Sequence, residues 1–131
     1  MGIKKIHGGG VEKIMKIAIT TWGNRVSPVF DAAKTLLIAD IENQSINSKK
    51  YESFHPDDIS ALAALLNREH VTALVCGAIS EPYAAQLAEN QIRMYAFVTG
   101  NAMDILDCLA IHNTIKPTFM MPGCTPAPGR P

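Results

Sequence analysis

Residues 16–21 read KIAITT, residues 22–33 read WGNRVSPVFDAA and residues 35–41 read TLLIADI. The outer two segments are short, apolar and rich in β-branched residues, the pattern of buried strands. The middle segment has no period, and its Gly23-Asn24 and Ser27-Pro28 pairs mark a loop. Glu42, Asn43 and Gln44 make a turn, and SINSKKYESF at 45–54 is a polar strand. Its Lys49 and Lys50 suit a sheet edge, because lysines there oppose pairing with a second chain. The second and third strands therefore form a hairpin beside the first.

Working outward, the chain begins to alternate. His55, Pro56, Asp57 and Asp58 open a helix whose Ile59, Leu62, Ala63 and Leu66 share one face, and which ends near His70. TALVC at 72–76 is a fourth strand, stopped by Gly77. Ser80 stands at an N-cap, with Glu81 and Pro82 in the first turn of a second helix that runs to about Asn90. IRMYAFV at 92–98 is a fifth strand. Asn101 caps a third helix with Asp104 three residues on, and that helix runs to about His112. The order β-β-β-α-β-α-β-α predicts a three-layer α/β/α domain on a five-stranded mixed sheet, with the second strand antiparallel. Ligands of such sheets sit at the carboxyl ends of the parallel strands. That rim collects residues 22–31, 77–81 and 99–101.

The 131 residues suffice for one domain with its own core. Residues 1–14, with the Gly8-Gly9-Gly10 run, read as a flexible leader, 15–113 as the domain and 114–131 as a proline-rich tail. Twelve basic and twelve acidic residues balance to a formal charge of zero. That argues against general binding to nucleic acid or to an anionic membrane, which needs excess positive charge. No apolar run reaches the ~20 residues of a membrane helix, and the N-terminus lacks the apolar stretch of a signal peptide. Cys76, Cys108 and Cys124 are odd in number and widely spaced, so they suggest neither a disulfide framework nor a zinc ribbon, and the cytoplasm is the simplest compartment.

Several chemistries lack their residues. Metal-dependent nuclease work on a ribonuclease H-like sheet needs carboxylates converging from strand ends. The first and fourth strands carry none, and Asp40 stands alone on the second. No glycine-rich phosphate loop follows a strand. No serine–histidine–acid set is evident. His55, His70 and His112 suit helix ends, and Cys76 and Cys108 suit small buried positions. Cys124, in the stretch Met120-Met121-Pro122-Gly123-Cys124, is different: a thiol in a Pro/Gly-rich tail is accessible, and thiolates are preferred ligands of iron–sulfur species. One cysteine cannot hold a cluster alone. It could complete a shared site, bridge two subunits or bind transiently.

The segment IAITTWGNRVSPVFD at 17–31, followed by LLIADIEN at 36–43, resembles the dinitrogenase iron–molybdenum cofactor biosynthesis family, whose members include NifX-like domains. The similarity continues through TALVCGAISE at 72–81 and QIRMYAFVTGN at 91–101, spans about Lys16 to His112, and rests on order and spacing. The tail MPGC at 121–124 is similar to the C-termini of stand-alone members. The resemblance implies a ribonuclease H-like fold, no catalysis, and a carrier or chaperone role for an iron–sulfur or iron–molybdenum cluster in nitrogenase maturation, with a cluster-assembly or acceptor protein as partner. It directs attention to Asn24, Arg25, Ser27 and Phe30 in the first loop, to Gly77 and Ser80 in the second, and to Cys124 as metal ligand. Arg25 could attract an anionic cluster, while Asn24 and Ser27 could donate hydrogen bonds to it or bond their own backbone. Phe30 is more often a loop anchor in the core than a cofactor contact. Members carry a histidine and a glycine in this loop where Val29 and Asp31 stand here. Valine cannot ligate metal, so the alternative is a protein-interaction or regulatory module that keeps the fold and has lost the cluster.

Overall fold

A computed structural model describes residues 14–123. The strands are β1 (Ile14–Trp22), β2 (Arg25–Val26), β3 (Thr35–Glu42), β4 (Ser45–Ser53), β5 (Ala73–Val75) and β6 (Met94–Tyr95). The helices are α1 (Ile59–Arg68), α2 (Glu81–Glu89) and α3 (Ala102–His112). The sheet order is β4-β3-β1-β5-β6, with the short β2 paired to β1 off that path. β3 runs antiparallel to β1 and β4, whereas β5 and β6 run parallel to β1. The second long strand is thus the antiparallel member, as the hairpin predicts.

The period of two along each strand divides the core. Ile17 and Ile19 of β1, Leu37 and Ala39 of β3 and Val75 of β5 face Ile105, Leu106 and Leu109 of α3. Ala18, Leu36, Ile38 and Leu74, on the alternate positions, face Leu62 and Leu66 of α1 and Leu87 of α2. A layer of helix therefore covers each face, giving three layers α/β/α. The β3–β4 turn is Asn43-Gln44, both at positive φ (52° and 66°), the two-residue geometry that matches strand twist. Glu69, just past α1, is tied to β4 and β1 by Lys50 at 3.0 Å and Lys16 at 3.6 Å.

Two expected elements come out differently. The fifth strand shrinks from 92–98 to Met94–Tyr95, because Gln91 and Phe97 both take left-handed backbone (φ 65° and 62°). Residues 22–33 hold a hairpin partner, β2, that pairs Val26 with Thr21 and Arg25 with Trp22. The stretch after α3 returns to the domain. Ile115 is fully buried, residues Pro117–Phe119 form a 3₁₀ turn and Met120 packs into the α3 half of the core. The leader at 1–13 and Cys124 with the residues after it lie outside the described residues.

Candidate functional site

β1, β5 and β6 end side by side, and the loops that follow them are stitched together by backbone hydrogen bonds. After β1, the Ser27 N–H donates to Thr20 O at 2.9 Å, and the Val26 N–H donates to Gly100 O at 3.0 Å. The first and second loops exchange Phe30 N–H to Ala78 O at 2.8 Å and Ala78 N–H to Pro28 O at 2.9 Å. The second and third loops join through Phe97 N–H to Gly77 O at 2.9 Å. The segment after α3 completes the row. Thr99 N–H donates to Phe119 O at 2.7 Å, and Met121 N–H donates to Phe97 O at 2.9 Å. Hydrogen bonding satisfies these loop groups internally, so the rim is a fixed surface.

The rim brings Asn24, Arg25, Ser27, Phe30, Gly77 and Ser80 to one end of the sheet but gives them different work. Asn24 and Arg25 are exposed. The Asn24 carbonyl accepts the Ala102 N–H at 2.8 Å, tying the loop to the start of α3. Arg25 flanks a shallow cleft of about 220 Å³ shared with Trp22 and Pro28. Ser27 is fully buried, and its hydroxyl donates to Val29 O at 2.8 Å, so it bonds its own loop. Phe30 is also fully buried, its ring centroid 6.0 Å from Phe54 and 5.7 Å from Tyr83. It anchors the loop and presents no surface at the rim. Gly77 is where two backbones meet. A Cβ there would overlap the carbonyl oxygens of Ser27 and Pro28. Ser80 is exposed at the N-cap of α2, with no side-chain capping bond. Cys124 lies outside the described residues; it follows Gly123 directly.

Val29 is 46% exposed on the same rim, and Asp31 is exposed beside it. Sequence reasoning missed two exposed apolar neighbours, Trp22 at 62% and Phe97 at 37%. A tryptophan next to Gly23 in a turn was the available signal for the first. Nothing local announces the second. Cys76, at the end of β5, is fully buried, and burial pushes its thiol up to about 12. It is no nucleophile at neutral pH. The Thr20 hydroxyl on β1 is buried too and has no hydrogen-bond partner among the described residues. Cys108 donates through Sγ to Thr114 O at 3.2 Å. A second, larger hollow of about 630 Å³ adjoins the rim at Asp31 and is lined further by Lys34, Phe54, His55, Asp57 and Tyr83. Among the described residues no group of three or more His, Cys, Asp or Glu side chains is placed to hold a metal ion. None of their helices is long and apolar enough to cross a membrane.

The chain is a three-layer α/β/α domain with a mixed sheet whose loops meet at one partly apolar rim. Residues 13–110 match the family profile described as dinitrogenase iron-molybdenum cofactor. The chain belongs to that family. Among solved structures it is similar to PH0822, with 15% identity, a TM-score of 0.65 and coverage of 73% of this chain and 88% of that one. It is also similar to MJ0327 of Methanocaldococcus jannaschii, a candidate dinitrogenase. The crystal structure of that protein matches with 26% identity, a TM-score of 0.58 and coverage of 73% of this chain and 88% of the other. Its NMR structure gives 22%, 0.60, and 85% and 95% coverage. No curated protein matches the chain.

Proposed function

We propose that this chain is a non-catalytic carrier or chaperone for an iron–sulfur or iron–molybdenum cluster, working in the cytoplasm with a cluster-assembly or acceptor protein. Membership of the cofactor family supports the cargo class. The observation that carries the reading is the hydrogen bond from Met121 N–H to Phe97 O, 2.9 Å, which holds Met121 at the rim. Cys124 follows three residues later in the sequence. A cluster held there would take a thiolate from Cys124, and its negative charge would face the exposed Arg25 guanidinium and the Asn24 amide. One thiolate gives a partial ligand set, which suits cargo that must be handed on.

A specific observation favours a second reading. Val29, 46% exposed, occupies the loop position where a ligating histidine is expected. An apolar residue there suits a protein-interaction module that no longer binds the cluster.

Iron, molybdenum and sulfide content after anaerobic reconstitution separates the two. Stoichiometric iron in the wild type, lost in Cys124→Ser, is the expected result. A metal-free wild type beside a metal-binding Val29→His variant would overturn the carrier reading and leave the interaction module.

A further inference from the structure

Strand β4 (Ser45–Ser53) closes one side of the sheet, and among the described residues only β3 pairs with it. The opposite side ends in β6, which is two residues long and is followed by a bridge from Val98 to Met120. The nine-residue β4 is therefore the long open edge. Which of its backbone groups face outward follows from the ladder. Thr35 stands opposite Ser53, and the Phe54 N–H donates to Lys34 O at 3.0 Å. In an antiparallel pair, hydrogen-bonded and non-bonded positions alternate. Glu52, Lys50 and Ser48 thus turn their N–H and C=O groups toward β3. Lys49, Tyr51 and Ser53 turn theirs outward, where no strand of the described residues meets them. Tyr51, at the centre of this row, is 62% exposed.

Edge lysines oppose indiscriminate pairing, but they also choose a register. A second copy joins β4 antiparallel about a two-fold axis normal to the sheet, which keeps every residue on its own face. Centring that axis on Lys49 or on Lys50 sets a lysine opposite itself, and centring it on Glu52 does the same to a carboxylate. Centring it on Tyr51 instead puts Lys50 opposite Glu52 of the second copy, twice by symmetry, with Tyr51 against Tyr51 and Lys49 against Ser53. Unlike charges and aromatic pairs across strands stabilise such a ladder, and like charges directly opposite destabilise it. The outward backbone groups match too. Tyr51 with Tyr51 and Lys49 with Ser53 become hydrogen-bonded positions, giving about six backbone bonds. Lys50 and Glu52 take the closer, non-bonded positions, where side chains approach most nearly. Within one chain these two already lie 3.6 Å apart, and Lys50 reaches Glu69 at 3.0 Å, so the second copy extends an existing charge cluster.

We infer that two copies of this chain associate edge to edge through β4, with Tyr51 on the two-fold axis and Lys50 opposite Glu52 across it. The sheet then runs continuously through both copies. Because the axis reverses strand direction, the two rims face opposite ends of the shared sheet. Each rim stays open, so the dimer presents two independent sites. A ladder over residues 49–53 is a small interface, at the weak end for protein pairs, so it forms and dissolves with concentration. This goes beyond the cluster reading and does not rest on it.

The experiment is sedimentation velocity of the full, metal-free chain from about 10 µM to about 1 mM, the range of weak association. The inference expects a monomer–dimer equilibrium in the wild type. Tyr51→Pro removes an outward N–H and leaves the β3–β4 ladder intact. Glu52→Lys sets a like charge opposite Lys50. Each should raise the dissociation constant at least about tenfold. Glu52 lies outside the core, so its variant keeps the test decisive if the proline variant does not fold. Oxidation with glutathione disulfide reads the register. Cys76 and Cys108 are buried, and a Cys124→Ser background removes the remaining thiol. In that background Tyr51→Cys should cross-link, because hydrogen-bonded positions set the two Cα atoms about 5.5 Å apart, within disulfide reach. Lys49→Cys, exposed on the same face, should not, because its two copies lie about 13 Å apart along the ladder. A monomer at every concentration, a dimer indifferent to both Tyr51→Pro and Glu52→Lys, or cross-linking at position 49 in place of 51 overturns the inference. None of these outcomes alters the metal content that decides the cluster reading.

Discussion

Single residues decide how the rim is built. Gly77 packs its backbone against the carbonyls of Ser27 and Pro28, which are themselves fixed by hydrogen bonds with Thr20 and Ala78. These are backbone atoms, so a new methyl group cannot be accommodated by turning a side chain. Gly77→Ala should cost about 1–3 kcal/mol, the usual range for overpacking, read as a lower urea midpoint at unchanged slope. Wild-type stability in that variant would show that the two loops part freely. The sequence marks Gly77 as the end of a strand, but the reason for a glycine lies fifty residues away, in a loop with which it shares no local pattern. The same limit applies to Ser27, which looks as available in the sequence as Asn24 and Arg25, whereas an apolar ring such as Phe30 already reads as a core anchor. Only burial separates Ser27 from the pair that faces solvent.

At the scale of elements, the two helices that start at the rim begin differently. The Asn101 side chain accepts from Met103 N–H at 2.9 Å and from Asp104 N–H at 3.1 Å, satisfying two of the orphan donors of α3. Ser80 sits at the corresponding position of α2 and makes no such bond. Asn101→Ala should therefore cost about 1 kcal/mol, the typical value of a lost cap, while Ser80→Ala stays near the wild type in the same thermal melt. Equal losses would mean that the Ser80 hydroxyl caps in solution. Both N-cap positions were legible from residue type and spacing, but only at Asn101 does the side chain make the local bond that the residue type suggests. The apolar face of α1 was legible too, but the helix starts later than the stretch 55–58 expected to open it: Asp58 is the N-cap, its carboxylate accepting from Ala61 N–H at 3.1 Å. The two-residue β2 and the pairing of Val98 with Met120 were not legible. Each is held by a partner distant in the chain and carries no period of its own. The apolar Ile115 and Met120, set within a proline-rich stretch, were the one sign that the tail returns to the core.

Across the whole molecule, the apolar runs of β1 and β3 marked buried strands. The order of elements, an early hairpin followed by alternating strand and helix, put helices on both faces and placed the antiparallel strand. The cost of closing such a core on a thiol was not legible, since Cys76 reads simply as a small apolar residue at a strand end. Its complete burial makes it a titration point for global stability. The thiol rises from an ordinary value of 9.0 to about 12 because the thiolate cannot be hydrated in the core. Below pH 9 it is protonated in both folded and unfolded chains and contributes no dependence on pH. Between pH 9 and about 12 the unfolded chain releases the proton that the folded one retains. The unfolded state then binds fewer protons, and stability falls as pH rises, by up to about 1.4 kcal/mol per unit. Tyr95, raised by burial against the opposing influence of Arg93, adds a slope of the same sign. The Cys76→Ala variant keeps the tyrosine and loses the thiol, so the difference between the two proteins isolates Cys76. Urea unfolding from pH 8 to 10.5 should show the wild type losing stability faster than Cys76→Ala above pH 9. Parallel curves would mean that the thiol ionises in the native state, and with it that the end of β5 opens to water beneath the rim.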